Sequence, residues 1–191
     1  MIDQEQQRPL PRIIYEGSTD EQVEANVEVV ADTMLELGIT ENIIKQTTLL
    51  VLPESRTTNG SAWPEKLGRL RHRKHQELHD SQGPIVRLNL KVHGKERTAE
   101  EINRTLVHEL EHVSQIGRAD TKLMLGHAAI WGLAAAGVAA GNKLGRGKSQ
   151  KTAFSLLGAG IGHQAGYRIA PHERQARIRS DEVKTSAISL K

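Results

Sequence analysis

His108, Glu109 and His112 stand in the order H-E-x-x-H within TLVHELEHVSQ, residues 105–115. On a helix, residues i and i+4 share one face a turn apart. Two imidazoles so placed can aim their nitrogens at one ion, about 2.0–2.1 Å away for zinc. Glu109 is turned roughly 100° round the axis, so it misses that ion but reaches a water bound to it. The metal would acidify the water and the carboxylate would take its proton, which is general-base hydrolysis. With 9 His in 191 residues, such a pattern arises by chance about four times in a hundred. The spacing therefore carries weight only if the surrounding sequence builds the helix.

That helix is well signalled. In GKERTAEEINRTLVHELEHVSQIG, Thr98 and Glu101 form a capping box and Gly117 is a C-cap, giving a helix over 98–116. Ile102, Leu106, Leu110, Val113 and Ile116 make one apolar stripe, with the two His beside it. Strands are expected at 12–16, at 47–52 (ended by Pro53) and at 85–92, where IVRLNLKVH alternates at period two. A second capping box, Ser18 with Glu21, predicts one helix over 19–37 stopped by Gly38. Residues 1–11 read as a loose tail, and 54–84 as a polar, turn-rich segment that could act as a lid. Its His75 and His79 repeat the i, i+4 spacing without a neighbouring Glu or an apolar stripe, as in a solvated basic loop. The pattern is that of an α+β domain, 12–191, whose small sheet packs on helices.

Composition narrows the chemistry. There is no Cys, so any metal must be held by His, Asp or Glu, and a reducing, cytoplasmic setting is expected. Aromatic residues are 3% and the formal net charge is +3, which argues against stacking on bases and against specific nucleic-acid binding. The start, MIDQEQQRPLPR, has no apolar core of a secretory signal.

A catalytic zinc usually has three protein ligands and a water. The metzincin continuation would need Gly at 115 and His at 118, where this chain has Gln115 and Arg118. Downstream, Tyr167, Pro171, Glu173 and Ala176 form Y-x-x-x-P-x-E-x-x-A. Together with HELEHVSQ this resembles gluzincin-type zinc metallopeptidases of the small bacterial type, over residues 85–117 and 167–176. The resemblance implies a zincin-like fold and a Zn2+ site on His108, His112 and Glu173, with Glu109 as general base. It implies peptide or protein substrates, bound by strand addition to an edge strand at 85–92. A non-catalytic peptide-binding or membrane-associated module of the same fold is the alternative. Glu173 also reads as a first-turn carboxylate answering the helix dipole after Pro171. His172, His163, His127, Asp120 and Glu182 are the rival third ligands, with His172 also a candidate partner of Glu173. Tyr167 reads as a packing residue or an oxyanion stabiliser. A His/His/Glu set also accepts cobalt or manganese.

Residues 123–166 depart from the resemblance. LMLGHAAIWGLAAAGVAAG and TAFSLLGAGIGHQAGY are nearly free of charge and flank the basic NKLGRGKSQK. They read as a hairpin of two small-residue helices inserted in the domain, with Gly132, Ala136, Ala140, Gly158 and Gly162 allowing close approach. The readings are a buried hairpin closing the domain, a hairpin associated with a membrane, or an oligomer contact. A charged helix is expected after Pro171.

Overall fold

The computed structural model describes residues 8–55, 58–64, 78, 81–118 and 121–191; the side chains of 121–124 and 127 are not described. The fold is mixed α and β. The chain divides into two compact units, residues 1–117 with 179–191, and residues 118–178.

The first unit is a mixed sheet with helices. Strands β1 (Arg12–Tyr15), β3 (Thr48–Ser55) and β5 (Ile85–Val92) run parallel, and β4 (Gly60–Trp63) is antiparallel to β5. The order is β1-β3-β5-β4, and β6 (Lys95–Glu96) folds back on the end of β5. His93 and Gly94 make that turn with φ of 53° and 74°, a left-handed pair suited to a tight hairpin. Strand alternation splits the apolar side chains between two faces. Leu49, Val51, Val86 and Leu88 join the main core, and Ile14, Leu50, Leu52 and Ile85 a smaller cluster opposite.

The main core is completed by helix α2 (Val27–Glu36) and helix α4 (Ala99–Gly117). The two are joined where Ser114 Oγ donates to Leu37 O at 3.1 Å. Helix α3 (Glu41–Gln46) lies between α2 and β3 in the chain, and the side chain of its Ile43 abuts Gly117.

The expected helix over 19–37 is broken. A single turn, α1 (Thr19–Gln22), gives way to β2 (Val23–Ala25) before α2 begins. Ser18 makes no side-chain cap, whereas Asn26 Oδ1 accepts from Glu28 N and Val29 N at 3.1 and 3.2 Å. Strand β2 pairs antiparallel with β7 (Ile188–Leu190), a long-range partner that no local pattern announces. Strand β3 does not stop at Pro53; its pairing steps from Leu52↔Asn89 to Glu54↔Lys91 around the exposed Pro53. The strand expected at the sheet edge, 85–92, is interior, and β4 ends the sheet within the segment expected to be turns. Residues 56–57, 65–77 and 79–80 of that segment, with His75 and His79, lie outside the described residues, as do 1–7 of the tail.

The second unit holds the two apolar runs as helices α5 (Thr121–Leu144) and α6 (Lys148–Ile169), joined by a short turn. A Cβ at Gly137 would collide with the backbone of Gly158, one at Gly141 with Phe154, one at Gly162 with Leu133. The helices therefore meet backbone to backbone, which only glycine permits. Helix α7 (Pro171–Glu182) starts in this unit, and its residues from Arg179 onward belong to the first. Among the described residues, no helix is long and apolar enough to cross a membrane.

Candidate metal centre

Helix α4 starts on the capping box foreseen in the sequence. Glu101 Oε2 accepts from Thr98 N at 2.8 Å, and Thr98 Oγ1 accepts from Glu101 N at 3.2 Å. These contacts, the backbone N–H first, hold the Glu101 carboxyl below its ordinary value. Ile102, Leu106, Leu110 and Val113 are buried in the main core, so the rotation of the helix is fixed. His108 and His112 are left half-buried beside that stripe.

The two imidazoles meet at their Nε2 atoms, 3.2 Å apart, with ring planes at 90°. Two nitrogens bound to one zinc at 2.0–2.1 Å in a tetrahedral arrangement stand about 3.3–3.4 Å apart. The His pair is thus spaced as a ligand pair. Its orientation is held by a residue that sequence reasoning passed over. Gln115 Nε2 donates to Glu111 Oε1 at 3.5 Å, which leaves Gln115 Oε1 to accept from His112 Nδ1–H at 2.9 Å. That fixes the Nδ1–H tautomer and turns the Nε2 lone pair of His112 toward His108. Glu111 and Gln115 are fully buried, so this chain of contacts is shielded from water. The available signal was an amide three residues after His112, on the same side of the helix.

Glu109 is buried, at 7% exposure, against β4. A Cβ placed on Gly60 would lie 2.7 Å from Thr105 Cγ2 and 3.1 Å from Glu109 Cγ. Glycine at 60 therefore lets the end strand run close over the helix at Thr105 and the Glu109 Cγ. Arg97 ties the two elements together. Its guanidinium donates to Asn59 O at 3.2 Å, Asn89 O at 2.9 Å, Glu101 O at 2.6 Å and Thr105 Oγ1 at 2.5 Å. Burial lowers its pKa, with Glu101 opposing. Asn89 Nδ2 adds a bond to Thr58 O at 2.9 Å. The N-G pair at 59–60 is the sequence signal for this turn.

In the second unit, Glu173 sits in the first turn of α7, buried at 6% exposure. His172 beside it is buried, its Nε2 3.5 Å from Glu173 Oε1. Gly126 of α5 abuts the His172 ring. His163 is exposed and lies edge-on to Trp131 at 6.0 Å. Tyr167 is partly exposed, with the Arg177 guanidinium over its ring at 5.9 Å. Glu182, in the first unit, is 3.5 Å from Arg179 on the surface. Asp120 and the side chain of His127 lie outside the described residues. No known family model, curated protein or solved structure matches this chain.

Proposed function

We propose that this chain is a zinc-dependent metallopeptidase of zincin-like fold, with His108, His112 and Glu173 as ligands and Glu109 as general base. The observation that carries the reading is the His108–His112 pair: two Nε2 atoms 3.2 Å apart on a capped helix, one with its tautomer set by Gln115. His108 and His112 share one helix of the first unit, and Glu173, buried in the second, is the third ligand that the gluzincin-like E-x-x-A pattern supplies. The donor set, two imidazoles and a carboxylate, suits a hydrolytic zinc that keeps a position open for water.

When bound, the ion would supply Lewis acidity and a water of lowered pKa. Glu109 would accept that water's proton and return it to the leaving amine. Glu109 is 7% exposed, with its Cγ close under Gly60 of β4. An extended peptide would add to β4, the last strand of the sheet, rather than to β5.

Metal content of untagged protein, measured by mass spectrometry beside His112→Ala and Glu173→Ala, tests the ligand set. About one zinc per wild-type chain, strongly reduced in both variants, is expected. No metal after zinc is added back and the excess removed would overturn the reading. Glu109→Gln should keep the metal and lose cleavage of unfolded peptides by about 10²–10⁴-fold. Metal retained with no cleavage by either protein would leave a zinc-holding binding module.

A further inference from the structure

The second unit carries a surface that the proposed peptidase chemistry does not use. Between residues 121 and 172 there is no Asp or Glu. Residues 118–178 hold nine Lys and Arg against two acids, a formal +7; the remaining residues hold 17 against 21, a formal −4. Four of these cations, Lys143, Arg146, Lys148 and Lys151, are exposed within nine positions at the turn between α5 and α6. Among the described residues of the helices that lead to this turn, only Gly126, Ile130, Ala134, Gly141 and Gly166 are buried. Their outer faces present Trp131 at 66% exposure, Leu144 at 73% and Leu156 at 71%, with Phe154, Leu157 and Ile161 also exposed. Large side chains left in water at this density mark an interaction surface.

We infer that the α5–α6 hairpin docks on an anionic lipid surface, its exposed apolar side chains entering the interface and its turn cations meeting the headgroups. Charge selects this occupant. A face with cations and no acids is complementary to phosphate headgroups and repels a second copy of itself. The exposed apolar side chains then add burial that a soluble polyanion cannot offer. Trp131, an indole on the outer face of α5, suits the boundary between headgroup and acyl chain.

The test uses the full chain as Trp63→Phe, which leaves Trp131 as the single indole. Vesicles of phosphatidylcholine alone are compared with vesicles containing roughly a third phosphatidylglycerol. Expected are co-sedimentation with the anionic vesicles, a blue shift of Trp131 emission on binding, and weakening by salt. Reversing Lys143, Arg146, Lys148 and Lys151 to Glu together should weaken binding on the order of a hundredfold or more. Leu156→Ser with Leu157→Ser should reduce binding while leaving its salt dependence. No binding to either vesicle overturns the inference. Equal binding to both overturns the role of charge. Self-association without vesicle binding, broken by Trp131→Ser with Leu157→Ser, assigns the face to a second copy instead. None of these readouts depends on bound metal or on cleavage.

Discussion

Helix α4 and the α5–α6 pair show two ways of building a helix into a protein. In α4 the side chains decide. A capping box starts the helix, Ile102, Leu106, Leu110 and Val113 enter the main core, and polar residues at fixed offsets from the stripe become a site. In α5 and α6 the backbones decide. Glycines at 137, 141, 158 and 162 bring the chains together, and the large apolar side chains are turned outward. A side-chain stripe uses one face for the core and leaves the rest polar. A glycine seam leaves the apolar residues to cover something else. The contrast teaches that low charge along a helix does not by itself mean burial.

Each unit holds one tryptophan, Trp63 in the first and Trp131 in the second, so the contrast can be broken unit by unit. Leu106 is fully buried in the main core. Leu106→Ala should destabilise the first unit by about 2–5 kcal/mol, read from urea unfolding followed by Trp63 in a Trp131→Phe background. An effect under about 1 kcal/mol would mean that the stripe does not hold the helix. Gly137→Ala should destabilise α5–α6 by about 1–3 kcal/mol, followed by Trp131, because the added methyl meets the Gly158 backbone. In an ordinary helix the same change stabilises by up to about 1 kcal/mol, so the sign alone distinguishes a seam from a loose pair. Gln115→Leu should weaken zinc about 10–100-fold in chelator competition while helix content is kept, because leucine offers His112 Nδ1–H no acceptor. Unchanged affinity in Gln115→Leu would remove the tautomer argument.

The smallest effect concerns the start of α4. The Glu101 pKa lies below its ordinary 4.5 because the folded state donates hydrogen bonds to the carboxylate. Its contribution is therefore present above the ordinary value and lost as pH falls through the depressed folded value. Helix content near neutral and acid pH should show this loss in wild type, and Glu101→Gln should flatten it. A wild-type profile that matches the variant's would show that the capping carboxylate is not linked to folding.

The sequence announced what depends on neighbours within one helix or one strand. The H-E-x-x-H helix, its cap and stripe, the strands near 12–15, 48–52 and 85–92, and both apolar helices follow from period and punctuation. What it concealed depends on distant partners or on competition between equals. Ser18 and Asn26 both offer a cap, and the pairing of Val23–Ala25 with Ile188–Leu190 favours the later one. Strand β4 is four residues of modest strand preference, made a strand by pairing with β5. Its position displaced the expected edge from 85–92 to 60–63. Gln115 stood out as a departure from another zinc pattern and as an amide one turn from His112; its contact with His112 needed the side-chain geometry.

One clasp in the first unit has a consequence for the order of assembly. Asn103 of α4 holds the backbone of Ile188 from both sides, donating to its carbonyl at 2.7 Å and accepting from its N–H at 2.9 Å. The loop so closed contains all of residues 118–178. Closure entropy grows only with the logarithm of loop length, so the excursion is tolerated thermodynamically. Kinetically the order is constrained. On the ribosome, α4 and the parallel strands emerge first, while their last strand, β7, arrives only after the hairpin has been made. Until then Asn103, buried in the finished unit, lacks the Ile188 backbone that it holds there. The segment bearing His108 and His112 is therefore synthesised before its unit can be finished.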